Sequence, residues 1–276
     1  MDSVQPGQID IPEDPSNSQD PPGYGCASEE AGKPAGTGAL RVVSITPVLN
    51  EEQRIGRIIA ELPADRINRI VVVNDGSTDG TQDAARRAGA EVISHAAPRG
   101  VGAAIRTGLL YAVEHGFDVV VITSGSGKTR SGEVPRLLDA LVNDNLDLAQ
   151  GSRYVPGGTA GNMPLQRRLG TRGYSFIFSA LAGHWVTDAS SGFRAVRTTL
   201  LKDPRISLEQ DWLDRYELEP YLLYKALTLH YRVKEIPVTI EYPPPVPGVP
   251  YTRIRAITDW WRIIRPVVFL RLGLRK

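Results

Sequence analysis

Short apolar runs alternate with amphipathic segments from residue 40 to residue 151. The runs are rich in Val and Ile, which is typical of strands that are covered on both faces. They lie at residues 40–45, 70–73, 91–94, 119–123 and 147–151, and the amphipathic segments between them lie at 52–62, 81–88, 103–115 and 134–143. This alternation predicts an α/β fold with a doubly wound, mostly parallel sheet.

The second half of the chain carries longer elements after a flexible segment at residues 156–161. A helix is predicted over residues 164–183. Residues 187–194 are predicted to form a polar turn, residues 217–229 a helix and residues 233–242 a strand. We expect the helix at 164–183 to dock on the sheet through its large apolar residues, which are Leu165, Leu169, Phe176, Ile177 and Leu181.

Residues 71–81, with the sequence Val-Val-Val-Asn-Asp-Gly-Ser-Thr-Asp-Gly-Thr, predict the position of a site. A buried strand stops at Asn74, and a helix begins near Thr81. Asp75 therefore lies at the carboxyl end of a parallel strand, where open α/β sheets bind ligands. In the unit before it, Pro47 ends the pairing of the first strand and Asn50 can cap the following helix. A plain strand-turn-helix corner around Asp75 is the alternative.

Composition divides the chain into three parts. Of the 276 residues, 41% are hydrophobic and 23% are charged, which is ordinary for a globular protein, and the net charge of +1 gives no reason to expect nucleic-acid binding. Residues 1–38 are acidic and rich in Pro, Gly and Ser, so we expect a disordered tail. Residues 39–242 form the single α/β domain. Residues 243–276 are predicted to contain a proline-rich segment and a basic amphipathic helix.

The chain has features of a cytoplasmic protein. It has one cysteine, Cys26, no apolar run of the roughly 20 residues that span a membrane, and no N-terminal pattern of a signal peptide. The C-terminal helix carries an apolar stripe among arginines, formed by Ile254, Ile257, Trp261 and Ile264. Peripheral contact with an anionic membrane and docking on the domain are both open for this helix.

The segment Gly125-Ser-Gly-Lys-Thr129 is similar to part of a nucleotide-binding P-loop. The motif requires a glycine where this chain has Ile122, so the segment fails the pattern and we reject an ATPase. What remains is a small cationic loop at the end of a strand. Its backbone amides and Lys128 can face a phosphate group.

Five short motifs follow one another between residues 46 and 194. They are Thr46-Pro-Val-Leu-Asn-Glu51, Val73-Asn-Asp-Gly-Ser-Thr-Asp-Gly-Thr81, Arg99-Gly-Val-Gly-Ala-Ala-Ile-Arg-Thr-Gly108, Gly151-Ser-Arg-Tyr154 and Asp188-Ala-Ser-Ser-Gly-Phe-Arg194. In this order they resemble family-2 glycosyltransferases, most of all the dolichyl- or polyprenyl-phosphate mannose synthase branch. The resemblance covers about residues 40–242. It implies a GT-A (Rossmann-like) catalytic domain, a nucleotide-sugar donor and inversion at the anomeric carbon.

The resemblance also implies roles for individual residues. Donor-binding residues would be Pro47, Asn50, Glu51, Asp75, Gly102, Arg106, Ser124, Gly125, Ser126 and Gly127. Catalytic candidates are Lys128, Arg153, Asp188, Arg194, Glu217 and Glu219, and Arg253 would lie on the acceptor side. Structural roles remain as alternatives: Arg194 as the partner of Asp188, and the two glutamates as charges at a helix N-terminus.

The chain departs from the family where its fourth strand ends. The family has Asp-x-Asp there, which holds a divalent metal on the diphosphate, but residues 124–132 contain no acid. Depending on the alignment, two serines or two glycines take the positions of the acids, and these are poor sole ligands for Mg²⁺. Dependence on Mg²⁺ or Mn²⁺ is therefore in doubt. We expect Lys128, helped by Arg130 or Arg153, to replace part or all of the metal's charge.

The predicted function is transfer of a sugar from a nucleotide diphosphate donor. The donor stays open among GDP-mannose, UDP-glucose and UDP-GlcNAc, and the acceptor between a polyprenyl phosphate and a small molecule. The alternatives are a nucleotidyltransferase on a similar sheet and a nucleotide-sugar-binding protein without turnover.

Overall fold

The computed structural model describes residues 40–242 and 258–275. The predictions for the tail at 1–38, for the proline-rich segment and for Arg253 lie outside these residues. The strands are β1 (Val42–Val48), β2 (Arg69–Asn74), β3 (Glu91–Ser94), β4 (Val119–Ile122), β5 (Leu148–Ser152), β6 (Thr159–Gly161), β7 (Arg194–Arg197), β8 (Val233–Pro237) and β9 (Thr239–Glu241). The α-helices are α1 (Glu52–Ala60), α2 (Thr81–Arg87), α3 (Val101–Glu114), α4 (Val134–Asn143), α5 (Leu165–Ala182), α6 (Thr198–Leu201), α7 (Leu218–Thr228) and α8 (Thr258–Arg271).

Seven strands form one sheet in the order β3-β2-β1-β4-β7-β5-β8, while β6 and β9 pair in a small parallel sheet. In the large sheet β7 is antiparallel to β4 and β5, and the other neighbouring pairs are parallel. The predicted doubly wound, mostly parallel fold is therefore confirmed. The strand order changes direction between β1 and β4, so loops diverge at their carboxyl ends and leave a crevice.

The strands are apolar because helices cover both faces of the sheet. In β2, Val71 and Val73 belong to the core cluster under α3, whereas Val72 belongs to a separate cluster with residues of α1 and α2. All three valines are fully buried. A strand enclosed in this way has no polar face, which explains its uninterrupted run of β-branched residues.

Two expectations about the first βα unit are wrong. Strand β1 continues through Pro47, which pairs with Val73, to Val48. Pairing of β1 with β4 ends at Ile45, so at Pro47 only β2 lies beside the strand. Proline, which has no N–H to donate, is tolerated at such an edge position. Asn50 does not cap α1, because the cap residue is Glu51 and Asn50 itself has a positive φ of 54°.

The expected docking face of α5 is also wrong, except for Leu181, which packs against the core. Four of the residues expected in the core are exposed, namely Leu165 (68%), Leu169 (62%), Phe176 (64%) and Ile177 (41%). The helix packs on the core through Tyr174, Phe178 and Ala182, with hydroxyl residues between them. These hydroxyls can be buried because they bond to carbonyls one turn earlier, as in Ser175 to Thr171 and Ser179 to Ser175.

Helix α8 packs on α5 and α7. Val267 is buried, and Ile263, Ile264 and Leu270 pack against the core, while Trp261 is 53% exposed. Within the residues that the structure describes, no helix combines the length and the apolar character needed to span a bilayer.

Candidate active site

The loop after β4 lines the crevice between β1 and β4. Ser124 and Ser126 bond to each other through their hydroxyls at 2.8 Å. Gly125 lies so close to β1 that a Cβ atom there would be 2.5 Å from the Pro47 carbonyl oxygen. Gly127 has a φ of 68°, which favours glycine. The loop is therefore held against the end of β1 at Gly125. It turns at Gly127, directly before Lys128.

Lys128 is one of two cations on the ring of Tyr242. The Lys128 Nζ lies 5.7 Å from the ring centroid, and the Cζ of Arg167 lies 5.1 Å from it. The hydroxyl of Tyr242 accepts a hydrogen bond from Nη1 of Arg153. Three cationic side chains from the β4 loop, the β5 loop and α5 thus meet at one aromatic ring. We call Lys128, Arg153, Arg167 and Tyr242 the cation cluster.

The electrostatic environment of Lys128 is positive. Burial, and after it the charge of Arg167, lowers the pKa of its ammonium group to about 8. Glu51 opposes this shift, but Lys128 forms no ion pair with a carboxylate in the described part of the chain. The Arg167 Nε is buried and has no hydrogen-bond partner there either. Neither cation therefore has a carboxylate partner among the described residues.

Arg153 is in a different situation because its charge is matched by Asp188. The guanidinium donates from Nε to Oδ2 at 2.7 Å and from Nη2 to Oδ1 at 2.6 Å, in a bidentate pair that is almost fully buried. Burial alone would lower the pKa of Arg153, but the hydrogen bonds and the charge of Asp188 outweigh it and raise the pKa. Two of the catalytic candidates thus form an internal ion pair that supports the cluster.

Asp75 is also satisfied from within the protein. Its carboxylate accepts hydrogen bonds from the backbone N–H groups of Arg99 and Gly100, both at 2.8 Å, and from His95 Nδ1 at 2.7 Å. The residue is 4% exposed. Here the carboxylate fixes the loop before α3, which is the structural role that a plain strand-turn-helix corner would give it. A contact with the donor stays a prediction.

The predicted donor-binding residues Asn50 and Glu51 connect the loop after β1 with the loop after β2. The Asn50 side-chain oxygen accepts from the Thr78 N–H at 2.9 Å, and the Asn50 N–H donates to Ser77 Oγ at 2.9 Å. Glu51 pairs with Arg54 at 2.7 Å. These contacts bring Pro47, Asn50 and Glu51 together at the end of β1, beside the β4 loop.

Two predicted donor residues of α3 pack against the segment before α7. A Cβ at Gly102 would lie 2.0 Å from the Leu213 carbonyl oxygen, so only glycine fits there. Arg106 donates to Asp214 Oδ1 at 2.5 Å and to the Gln210 carbonyl. These contacts are internal to the fold, and none of them points to a ligand.

The remaining candidates are engaged inside the protein. Arg194 is fully buried and donates to the carbonyls of Glu219 and Ser191, so its expected role beside a diphosphate does not fit its position, and the partner of Asp188 is Arg153. Burial raises the pKa of the Glu219 carboxyl, which Arg194 offsets in part. Glu217 is 1% exposed and pairs with Arg265 of α8 at 2.5 Å.

A cavity of about 270 Å³ lies around Glu217. Its lining combines four arginines with three acids and one tryptophan, namely Arg99, Arg215, Arg262, Arg265, Asp211, Asp214, Glu217 and Trp212. None of the cation cluster lines it. Two of its acids already form ion pairs: Asp214 pairs with Arg106, and Glu217 pairs with Arg265.

The residues at the end of β4 do not fit a divalent metal. In one of the two alignments Ser124 and Ser126 take the positions of the family's acids, and their hydroxyls bond to each other. The charge of Arg167 acts on the neighbouring Lys128, and Glu51 offsets it only in part. No group of three or more His, Cys, Asp or Glu side chains within the described residues could hold a metal ion. Mg²⁺ and Mn²⁺ prefer carboxylate oxygens, which this loop lacks.

Sequence reasoning missed three residues of this region. Arg167 and Tyr242 belong to segments far along the chain from the β4 loop, and no motif marks them. His95 bridges Asp75 and the Thr107 hydroxyl. Its position directly after β3 was the available signal, because side chains at the carboxyl ends of neighbouring parallel strands lie close together.

The chain is similar to known glycosyltransferases over most of its length. The model of the family "Glycosyl transferase family 2" matches residues 44–203. A UDP-N-acetylglucosamine–dolichyl-phosphate N-acetylglucosaminyltransferase of Methanococcus voltae is 30% identical over 215 residues, covering 72% of this chain and 84% of the relative. An undecaprenyl-phosphate mannosyltransferase of Micrococcus luteus is 31% identical over 209 residues, covering 72% and 83%. The resemblance found in the motifs is confirmed at the level of the family.

Solved structures agree with the fold. Glucosyl-3-phosphoglycerate synthase from Mycobacterium tuberculosis, in complex with Mn²⁺, UDP and glucosyl-3-phosphoglycerate, superposes with a TM-score of 0.60. The match has 20% sequence identity and covers 86% of this chain and 81% of the synthase. At this identity the likeness establishes the shared GT-A fold.

Proposed function

The chain belongs to glycosyl transferase family 2 and is a glycosyltransferase, and we propose that it moves a hexose from a nucleotide diphosphate to a polyprenyl phosphate with inversion. The observation that carries the proposal is the cation cluster, which lines the carboxyl ends of β1 and β4 where Glu51 also acts on Lys128. Anionic donor and acceptor phosphates match such a lining.

The chemistry needs little from a general base. An oxygen of the acceptor phosphate attacks the anomeric carbon, and the bond from this carbon to the donor's β-phosphate oxygen breaks. The bond electrons go to that oxygen, and a nucleoside diphosphate leaves. A phosphate monoester is already ionised at neutral pH, so no carboxylate has to remove a proton. This agrees with a site in which Asp188, Glu217 and Glu219 are engaged in internal contacts. The growing charge of the leaving group is the quantity to be stabilised.

Helix α5 supports a lipid-linked acceptor. Its exposed apolar stripe consists of Leu165, Leu169 one turn later and Phe176 two turns after that. The exposed Arg168 and Arg172 lie beside this stripe. Trp185 follows the helix and is 74% exposed. We call this the α5 face. An apolar stripe beside arginines is complementary to an anionic lipid surface.

The α5 face is close to the site because the same helix begins at Leu165 and contributes Arg167 to the cation cluster. A phosphate at a bilayer surface would therefore meet the crevice from the side of α5. The relatives named for dolichyl or undecaprenyl phosphate support this choice of acceptor. The sequence left both membrane contact and docking on the domain open for the C-terminal helix, but α8 has much of its apolar surface packed on α5 and α7.

The proposal is tested by a transfer assay with the full chain. GDP-mannose, UDP-glucose and UDP-GlcNAc are each supplied with a polyprenyl phosphate in detergent or with a soluble phosphate acceptor such as phosphoglycerate. We expect one donor to give a polyprenyl-phosphate sugar whose anomeric configuration is inverted. Transfer to the soluble acceptor alone would refute the lipid acceptor, and donor hydrolysis without transfer to either would refute the function.

Membrane contact has its own test. Co-sedimentation with vesicles that contain anionic lipid is expected to lose most of its binding on Phe176→Glu, because a charge enters the apolar stripe. The matched control is Val142→Glu, which changes another exposed residue, 49% accessible, on α4. Equal binding by the wild type and the α5 variant would contradict the role of the α5 face.

A further inference from the structure

We propose that Lys128 and Arg167 bind the diphosphate of the donor directly and take the place of the family's divalent metal. The inference rests on the proposed function and names the groups that hold its leaving group. Lys128 follows the two positions where the family carries its acids, and Arg167 joins it from the first turn of α5. The two cations share the ring of Tyr242.

The absence of carboxylates at the loop is the first argument. Neither alignment places a carboxylate there, and the hydroxyls of Ser124 and Ser126 in this loop are 2.8 Å apart and bond to each other. A metal ion there would have these neutral oxygens as its protein ligands and the ammonium of Lys128 as a neighbour. Such a site repels a cation and attracts an anion.

The second argument is that the positive charge at the loop is not neutralised. Neither Lys128 nor Arg167 forms an ion pair in the described part of the chain, and the Arg167 Nε is buried there without a hydrogen-bond partner. A buried polar group without a partner is costly unless a ligand supplies one. An oxygen of a phosphate group would satisfy this donor.

The third argument is that the cluster is pre-organised. Asp188 fixes the guanidinium of Arg153 through two short bonds, and Arg153 in turn bonds to the Tyr242 hydroxyl. Tyr242 is 2% exposed, so its ring is a fixed support for the two cations. Arg153 is thus a positioning residue, while Lys128 and Arg167 have donors that no carboxylate of the described residues engages. Donors fixed before the reaction stabilise developing charge without reorganisation.

Arg130, expected as a helper of Lys128, does not belong to this arrangement. It is exposed and forms an ion pair with Glu241. The helper that the structure provides is Arg167, whose charge acts on Lys128. A lysine supplies a point charge and an arginine a two-pronged donor, which together suit a diphosphate.

The test is calorimetric binding of UDP and GDP to the full chain in EDTA and in Mg²⁺. We expect the better nucleotide to bind in EDTA, with a Kd that Mg²⁺ changes less than about threefold. Lys128→Met and Arg167→Met are each expected to weaken binding about 10- to 100-fold, because each removes a charged hydrogen-bond donor. Lys128→Arg keeps the charge and is expected to bind within about fivefold of the wild type.

Arg87→Met is the matched control, since it removes an exposed arginine of α2 and is expected to leave the Kd unchanged. Melting curves of all variants verify that they fold. Lys128→Met replaces a half-buried charge by an apolar group of similar length, so loss of folding is not expected.

The outcomes separate this inference from the proposed function. Binding that disappears in EDTA, returns with Mg²⁺ and is normal in Lys128→Met overturns the inference, since the metal would then be carried by the diphosphate and water. If neither nucleotide binds the wild type, the proposed function and the inference both fail. If the binding pattern is as expected but no transfer occurs with any donor, the inference stands and the proposed function fails.

Discussion

Replacing Asp75 by alanine is expected to destabilise the fold strongly. The carboxylate accepts three hydrogen bonds, two of them from the backbone N–H groups of Arg99 and Gly100, and the residue is 4% exposed. Each buried donor left without a partner costs about 1–3 kcal/mol. Water can enter part of the vacated space, so we expect a total loss of about 3–5 kcal/mol, as for a broken buried ion pair. Typical domains have about 5–15 kcal/mol in all.

The measurement is urea unfolding of the wild type and of Asp75→Ala at pH 7.5, with the free energy of unfolding extrapolated to water. Asp65→Ala is the matched control, because Asp65 is exposed in a loop, and its change should stay within about 0.5 kcal/mol. Binding of UDP and GDP is measured on the same samples at a temperature where both variants are folded.

The result decides between two roles for this carboxylate. A loss of less than about 1 kcal/mol would refute the reasoning from hydrogen bonds. If that small loss came with binding at least tenfold weaker, Asp75 would be a donor contact, as the motif resemblance implies. A large loss of stability with the Kd unchanged in the folded variant would assign it to the loop before α3.

Three further predictions concern packing, pH and the tail. Gly102→Ala is expected to lower the free energy of unfolding by about 1–3 kcal/mol, because its Cβ atom would overlap the 213–215 segment. The control Gly56→Ala should raise this free energy by up to about 1 kcal/mol, because no atom lies within 4 Å of the added Cβ atom. Urea unfolding measures both changes. The affinity for UDP or GDP should be highest below pH 8 and fall as the pH rises from 8 to 10, because Lys128, with a pKa of about 8, must be protonated to bind a diphosphate; calorimetry should find Lys128→Met without this fall. Removal of residues 1–38 should leave the melting temperature within about 2 °C, because their composition offers little apolar surface to bury, and a clearly lower value would contradict this.

The sequence predicted the parallel sheet because the signal for it is local. Each strand enclosed on both faces must be apolar, so runs such as residues 70–73 are visible without knowledge of their neighbours. Strand β7 escaped detection because it begins with Arg194 and ends with Arg197. Both arginines are accommodated by donating to backbone carbonyls, as Arg197 Nε does to Leu146 at 2.8 Å. Such contacts depend on the tertiary structure and leave no pattern in the sequence.

The site was predictable in its location and less so in its members. Motifs at strand ends indicated the crevice, since the carboxyl ends of parallel strands meet at one edge. The departure at residues 124–132 drew attention to Lys128. Arg167 could not be found, because it lies on a helix whose buried and exposed faces were assigned the wrong way round. The buried face of α5 contains Ser and Thr, whose hydroxyls can be buried because they donate hydrogen bonds to helix carbonyls.

The antiparallel strand β7 sets the order in which this protein can assemble. Strands β1 to β4 pair among themselves, but β4 and β5 make contact through β7, which comes more than forty residues after β5 begins. During synthesis the edge of β4 therefore stays open until residues 194–197 have left the ribosome. An open, fully apolar edge strand is a template for wrong pairing between nascent chains. The buried Arg194 of β7 also donates to the carbonyl of Glu219 in α7, which is made later still, so completion of the sheet is a late step.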